Sequence, residues 1–350
     1  MTLFHAKHAK HAKSAEEGAG ALTTALALTR ARDAIVGSER MDPDPPGAVA
    51  GGPEARLLRL DPEDRRAVIL SEVMEGMAVA TTGAGPRADA VTLTMRGRML
   101  VEIARPDDGL LHDAVEMVGN YAQLRPDRLP EIEVQRTALI PFFATILPLD
   151  PARTPATIEM LGRGLDVTAL LVMRAKLALG CPRPPVFSPR LQPPIEVPPH
   201  AALPSGHATQ ALCLATMLSL LRDPASSVDA ADPLFRMACR IAVNRTVAGV
   251  HFPADSAAGA VMGIQLGRWL MARAGRCAAM TRARFDGNLF VDDQNGRATA
   301  RDFHDGILEE MIAGTDRATR FSPLKGTLRQ APLWSALVAQ ARKEWDARWS

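Results

Sequence analysis

The chain has 350 residues, 47% of them hydrophobic and only 4% aromatic, with a formal net charge of +2. That is apolar content for one large core or two ordinary ones, and a charge too balanced for a nucleic acid or an anionic membrane to be the partner. Abundant Ala with few aromatics points to Ala/Leu/Val-rich helices. Cys181, Cys213, Cys239 and Cys277 are widely spaced with no CxxC pair, which excludes a zinc pattern. Three of them sit in apolar helical text, where buried free thiols are the rule, and a reducing compartment fits.

In chain order, residues 1–55 read as a tail and linker. His5-Ala-Lys, His8-Ala-Lys and His11-Ala-Lys form a short triplet repeat, more a solvated basic tail than a metal or anion tether. Residues 19–29 are apolar enough for a short signal-peptide core. Glu16 and Glu17 precede it, however, and Arg30, Arg32 and Asp33 follow where small residues belong, so a cytoplasmic or otherwise soluble protein is expected rather than a secreted one. The stretches 137–149 and 208–221 are the most apolar and are too short to span a bilayer, so an integral membrane protein is not expected.

Residues 56–150 read as an N-terminal helical part. Asp61-Pro-Glu-Asp opens a helix to about Ala80, with Asp at the cap and Pro in the first turn. Val91–Met95 and Met99–Ile103 alternate about Arg96-Gly97-Arg98 and predict a β-hairpin. Helices follow over 107–124 and 132–147, the second stopped by Pro148. Residues 151–275 form the central part. A helix runs from Thr154 to Leu179, with Gly180 at the C-cap and Pro182 preventing continuation. The loop 182–204 is proline-rich, which lowers the entropy lost on fixing it over a site. Helices are predicted over 208–222, 233–247 and 253–273. The extension 276–350 carries turn signals at Asp286-Gly and Asn295-Gly and helices near 302–313 and 332–349.

Three motifs in the central part carry chemistry. Lys176 and Arg183 are seven apart, and the Gly180/Pro182 stop places Lys176 on a last helical turn and Arg183 on the exit loop. A compact ammonium and a planar guanidinium are a common pair around a phosphate, although either alone is an ordinary basic helix C-terminus. Pro204-Ser205-Gly206-His207 supplies an N-cap serine, a glycine permitting close backbone approach, and free amides at a helix start. By itself this is a capped helix with an incidental histidine. Asn244-Arg245 precedes His251 by a short turn, and Asp255 lies four residues beyond the histidine. A carboxylate at that spacing can fix the imidazole tautomer and leave the other ring nitrogen for attack, or be a mere surface pair.

Together, in this order and spacing, the motifs resemble the type-2 phosphatidic acid phosphatase and vanadium haloperoxidase superfamily. Its pattern is Lys-x6-Arg-Pro, Pro-Ser-Gly-His, then Ser-Arg-x5-His-x3-Asp. Lys176, Arg183, Pro184, Pro204, Ser205, Gly206, His207, Arg245, His251 and Asp255 match, and Asn244 departs from the pattern's Ser. The resemblance covers about residues 150–275. It implies an all-α helical bundle with the site between helices, into which the small hairpin fits as an addition, and no divalent metal. In phosphatase members the residue matching His251 attacks phosphorus to form a phosphohistidine. The one matching Asp255 orients it, and the one matching His207 protonates the leaving alcohol. The residues matching Lys176, Arg183, Ser205, Gly206 and Arg245 hold the equatorial oxygens. In haloperoxidase members the same pocket holds vanadate, with the residue matching His251 as the vanadium ligand and the one matching His207 as the acid–base group.

His200, five before Ser205, resembles a halide-side histidine of bromide-oxidising members and favours a peroxidase. Met173 stands where those enzymes tend to carry Trp or Arg, and only 38 positions separate His207 from Arg245, which favours a phosphatase. The expectation is a soluble, metal-independent phosphomonoesterase acting on a small phosphate ester without a cofactor. The alternatives are a vanadate-dependent haloperoxidase taking bromide or iodide and peroxide, and a non-catalytic oxyanion-binding scaffold. The superfamily's lipid enzymes carry several spanning helices, and homodimers are a habit of the family.

Overall fold

The computed structural model describes residues 20–35, 51–294 and 297–349. The chain divides into a unit over Met1–Ala50 and another over Gly51–Ser350. In the first, residues 20–35 form a helix (α1) with exposed side chains, so that part of the expected tail is helical. The second begins with α2 (Pro53–Leu57) and α3 (Pro62–Met74), then β1 (Met77–Thr82), β2 (Ala90–Met95) and β3 (Arg98–Ala104). Short helices α4 (Asp108–Asp113), α5 (Val115–Asn120), α6 (Arg125–Gln135) and α7 (Ile140–Ala144) lead to the long α8 (Pro155–Leu179). After α9 (Pro184–Phe187) come α10 (Gly206–Arg222), α11 (Pro233–Val247) and α12 (Pro253–Arg273). The chain ends with β4 (Thr281–Asp286), β5 (Val291–Gln294), β6 (Arg297–Ala300), α13 (Asp305–Ala313), β7 (Thr319–Pro323) and α14 (Pro332–Trp349).

Helices α10 and α12 are the centre. Each is buried on nearly every face, as a helix that is apolar all round must be. They approach closely because α12 carries glycine every fourth residue. A Cβ on Gly259 would fall 2.7 Å from the Ser205 carbonyl oxygen, and one on Gly267 would fall 2.7 Å from Thr216 Cβ. One on Gly263 would press on the Thr209 carbonyl oxygen. Most of these contacts are backbone, which cannot rotate aside, so the stripe fixes the spacing of the two helices. Helix α8 packs on α10, where Gly164 faces Met217. Helix α14 covers α8 and caps it from a distance: the Glu344 carboxylate accepts from Ala156 N, Thr157 N and Thr157 Oγ1 at 2.7–2.9 Å. A carboxylate at a helix start satisfies unpaired amides and complements the dipole.

The expectation of an all-α fold is corrected here. The chain is mostly helical but carries a five-stranded mixed sheet of order β1-β2-β3-β4-β7. Strands β3 and β4 run parallel and the other neighbours antiparallel. A separate antiparallel pair is formed by β5 and β6. The predicted hairpin is present as β2–β3, turning through Arg96 (φ 49°) and Gly97 (φ 75°), the left-handed pair that matches strand twist. It lies at the middle of the larger sheet, with β3 and β4 against α12. Strand β1 occupies the end of the stretch expected to be helical to Ala80. Helix α3 stops at Met74, and Gly76 (φ 86°) turns the chain into the sheet. Strands β4 and β7 carry little local signal, since charged Arg282 and Arg284 alternate with buried Ala283 and Phe285 in a short segment.

Two expected helices are broken. The stretch 107–124 is divided into α4, α5 and a 3-10 turn. The stretch 132–147 is divided between α6 and α7, because Pro141 has no N–H for an α-helical bond to Thr137 and instead starts a new helix. Of the turn signals, Asp286-Gly opens a short 3-10 turn, while Asn295-Gly lies outside the described residues. Among the described residues no helix is long and apolar enough to cross a membrane.

Candidate functional site

The glycine-spaced contact brings the starts of α10 and α12 together. Ser205 caps α10, its Oγ accepting from Ala208 N at 3.4 Å, and its own N–H donates to the Asp255 carbonyl oxygen at 2.9 Å. At the start of α12, Asp255 Oδ2 accepts from Phe252 N at 2.9 Å and lies 3.0 Å from His251 Nδ1. The carboxylate only accepts, so Nδ1 carries the proton and donates, which leaves a lone pair on His251 Nε2. That Nε2 is 3.3 Å from Arg183 Nη1, which donates to it. His251 and Asp255 are buried, at 3% and 0% exposure.

Three cations converge on this point. Lys176 stands on the last turn of α8, which ends at Gly180 in the left-handed conformation (φ 59°). Two of its N–H donors go to the Ala201 and Ala202 carbonyls, at 2.7 and 2.5 Å. Arg183, on the exit loop, donates from Nε to His200 O at 2.9 Å and from Nη1 to Val250 O at 2.7 Å. Arg245, near the end of α11, donates from Nη2 to Gln135 Oε1 at 3.0 Å and to Ile132 O at 3.3 Å. All three are buried, and Asp255 is the buried carboxylate among them, so the cluster holds two uncompensated positive charges.

The electrostatics follow from that excess. Burial, reinforced by Arg183, lowers the Lys176 ammonium to about 7. Burial also lowers Arg183 and Arg245, each to about 10. Burial raises Asp255 to about 6. His251 is held far below its ordinary value by burial and then by Lys176 and Arg183, so it is neutral and nucleophilic. Arg245 and His207 add to the same effect, which places them in one electrostatic cluster with His251. An anion is the kind of ligand that would offset this field.

His207, on the first turn of α10, donates from Nε2 to the Gln135 carbonyl oxygen at 3.0 Å. Its other nitrogen, Nδ1, is therefore the one available for proton exchange. Burial and Arg245 lower its pKa to about 3. Gly206 is not demanded by packing, since a Cβ there would meet nothing nearer than Val172 Cγ1 at 3.7 Å. His200 stands beside the cluster: its Nδ1 is 3.2 Å from Arg183 Nη2 and 3.2 Å from the Ala201 carbonyl oxygen. All the sequence-predicted residues thus meet around the joined starts of α10 and α12.

One residue was absent from the sequence reading. Gln135, at the end of α6, is buried and touches both His207 and Arg245. Its side-chain oxygen also accepts from Asn244 Nδ2 at 3.1 Å. Asn244 in turn donates to Glu131 Oε2 at 3.0 Å and accepts from Arg128 Nη1 at 3.2 Å. The departure from Ser at 244 is thus a long amide joining α11 to α6. No signal within its own helix could have found Gln135. A cleft of about 500 Å³ lined by Arg128, Arg236, Met237, Arg240, Val243 and His304 adjoins this network and lacks the residues of the cluster itself.

Among the described residues no group of three or more His, Cys, Asp or Glu could hold a metal ion. Residues 160–277, from α8 past the end of α12, match the model of the PAP2 superfamily. No curated protein matches the chain.

Proposed function

We propose that this chain, whose residues 160–277 match the PAP2 superfamily, is a phosphomonoesterase working through a phosphohistidine. The observation that carries this reading is the His251–Asp255 bond, which directs a neutral Nε2 lone pair into a cluster with two excess positive charges. In this mechanism Lys176, Arg183, Arg245, the Ser205 hydroxyl and the Gly206 backbone amide hold the equatorial oxygens of a phosphate ester. His251 Nε2 forms a bond to phosphorus as the bond to the leaving oxygen breaks. His207 Nδ1 delivers the proton that makes the leaving group an alcohol. Water then attacks phosphorus, gives its proton to His207, and the P–N bond breaks to release phosphate. Most of the rate acceleration is preorganised charge, as is usual in phosphoryl transfer. The bound dianion offsets the cations around His207 and raises its proton affinity, so the acid is armed by the substrate.

The pH dependence follows with its sign. Above about 6 Asp255 is a carboxylate and holds His251 in the reactive tautomer; below that it protonates and activity falls. Below about 7 Lys176 is charged and binds the anion; above that it loses its proton and activity falls. The kcat/KM profile for an aryl phosphate should therefore be bell-shaped with its maximum between those limbs, since kcat/KM reports groups of the free enzyme. A flat profile from about pH 5 to about pH 9 would contradict both assignments.

A second reading is a vanadate-dependent haloperoxidase, favoured by the ring of His200 against Arg183. The donor set fits vanadate as it fits phosphate: Lys176, Arg183, Ser205, Gly206 and Arg245 would hold the oxygens, and His251 Nε2 would be the ligand to the metal. Bound vanadate would supply peroxide activation for halide oxidation. One preparation divided in two, with and without orthovanadate, separates the readings. The proposal expects aryl phosphate hydrolysis that orthovanadate inhibits, and no bromination of a dye by peroxide and bromide. Bromination dependent on orthovanadate would replace it, and His200→Ala should then lower bromination while leaving orthovanadate binding intact. Orthovanadate binding with neither activity would leave a scaffold.

A further inference from the structure

We propose that Gln135 is a binding residue of the oxyanion site, donating from its side-chain Nε2 to the bound anion while its two carbonyl oxygens position His207 and Arg245. The proposal rests on the oxyanion-binding reading and holds for phosphate and vanadate alike.

Gln135 lies outside the three motifs and outside the segment that matches the superfamily, yet it stands between two of their residues. Its main-chain oxygen takes the His207 Nε2 proton at 3.0 Å. Its Oε1 takes Arg245 Nη2 at 3.0 Å and Asn244 Nδ2 at 3.1 Å. Two donors on one atom fix which arm of the amide is oxygen, because the reverse orientation would set N–H against N–H. The amide is planar, so Nε2 is held beside the Arg245 guanidinium. That Nε2 is buried and has no protein partner, and the same is true of Arg245 Nε beside it. A buried N–H without an acceptor is costly, and the one on Gln135, whose oxygen holds a cation of the cluster, is placed to donate to an anion there.

The placement has a local origin. Helix α6 ends at Gln135, and the main-chain carbonyls of Ile132 and Gln135 at that end accept from Arg245 and His207. Asn244 then holds the side chain from the other side, and the Arg128–Asn244–Glu131 contacts tie the arrangement to the protein surface. Serine at 244 has a shorter side chain than the asparagine that makes this bridge.

Orthovanadate binding to the full chain, measured by calorimetry, tests the proposal. Gln135→Leu removes both arms of the amide and should weaken orthovanadate at least about tenfold, the order of one lost hydrogen bond to a charged group. On an aryl phosphate the loss should appear mainly as raised KM, because the anion is held in ground and transition state alike. Gln135→Glu keeps an oxygen on Arg245 but sets a carboxylate where the donor was. It should bind orthovanadate more weakly than Gln135→Leu at neutral pH and regain affinity as the pH falls and the carboxyl protonates. The diagnostic readout is the gain in Gln135→Glu beyond the gain that the unaltered protein shows over the same pH range from Lys176 and Asp255, which a purely structural role would not give, and it decides the matter if Gln135→Leu is poorly folded. Affinity within about threefold of the unaltered protein in both variants, with no such extra gain in Gln135→Glu, overturns the proposal. If the unaltered protein binds neither orthovanadate nor phosphate, the oxyanion reading fails and the proposal with it.

Discussion

His251→Ala should abolish aryl phosphate turnover, and Asp255→Asn should lower kcat by roughly 10²–10³ while orthovanadate still binds. The first follows from removing the atom that bonds to phosphorus. The second follows from charge. Asp255 Oδ2 now accepts from both Phe252 N and His251 Nδ1. An asparagine whose oxygen takes the Oδ2 position keeps both bonds, and its NH2 falls where Oδ1 has no partner, so what the substitution removes is the buried negative charge. The positive charge that grows on the imidazole as Nε2 bonds to phosphorus then loses its buried counter-charge, with little change of shape. Alkali-quenched labelling with a ³²P-phosphoryl ester checks both variants: the unaltered protein should trap label on one histidine, His251→Ala none, and Asp255→Asn only slowly. Turnover by His251→Ala at the unaltered rate would show that another group is the nucleophile.

Arg183→Lys should lower kcat/KM by roughly 10²–10³, although it keeps the charge. The guanidinium is held by three groups at once: Nε by His200 O, Nη1 by Val250 O, and Nη2 beside the His200 ring. Nη1 also reaches His251 Nε2, which puts a donor next to the attacking atom. A lysine cannot occupy these positions together. Its ammonium would also sit beside Lys176 in the same buried field, where it would lose its proton more readily than guanidinium does. Guanidinium added to Arg183→Ala should restore part of the activity, whereas methylammonium should not. Activity of Arg183→Lys within about threefold of the unaltered enzyme would mean that Arg183 supplies charge alone.

The site was legible in the sequence because each motif sits at a helix end, where a few local residues decide the geometry. Gly180 and Pro182 stop α8 so that Lys176 and Arg183 flank one corner, and Ser205 and Pro253 start α10 and α12. The sheet was largely illegible. Of its five strands only β2 and β3 alternate over enough residues to be read, and β3–β4 is a parallel pairing between segments far apart in sequence. Strand β1 resembles helix text until Gly76 turns the chain. Gln135 was illegible for a related reason. Its neighbours in the site come from α10 and α11, and nothing within its own helix marks it. Asn244, a departure from the superfamily pattern, makes sense only once Gln135 is beside it.

The glycines at 259, 263 and 267 make the active-site dimension and the interior dimension a single length. The separation of Ser205 from Asp255 is set by how near two backbones lie along a shared seam, and no loop intervenes to absorb a change. An added methyl deep in that seam would act as a wedge, opening the helix starts that carry the reactive groups. For this architecture, residues several turns from any bound anion are part of the ruler that measures it, and the chain has little freedom to trade interior volume without changing its chemistry.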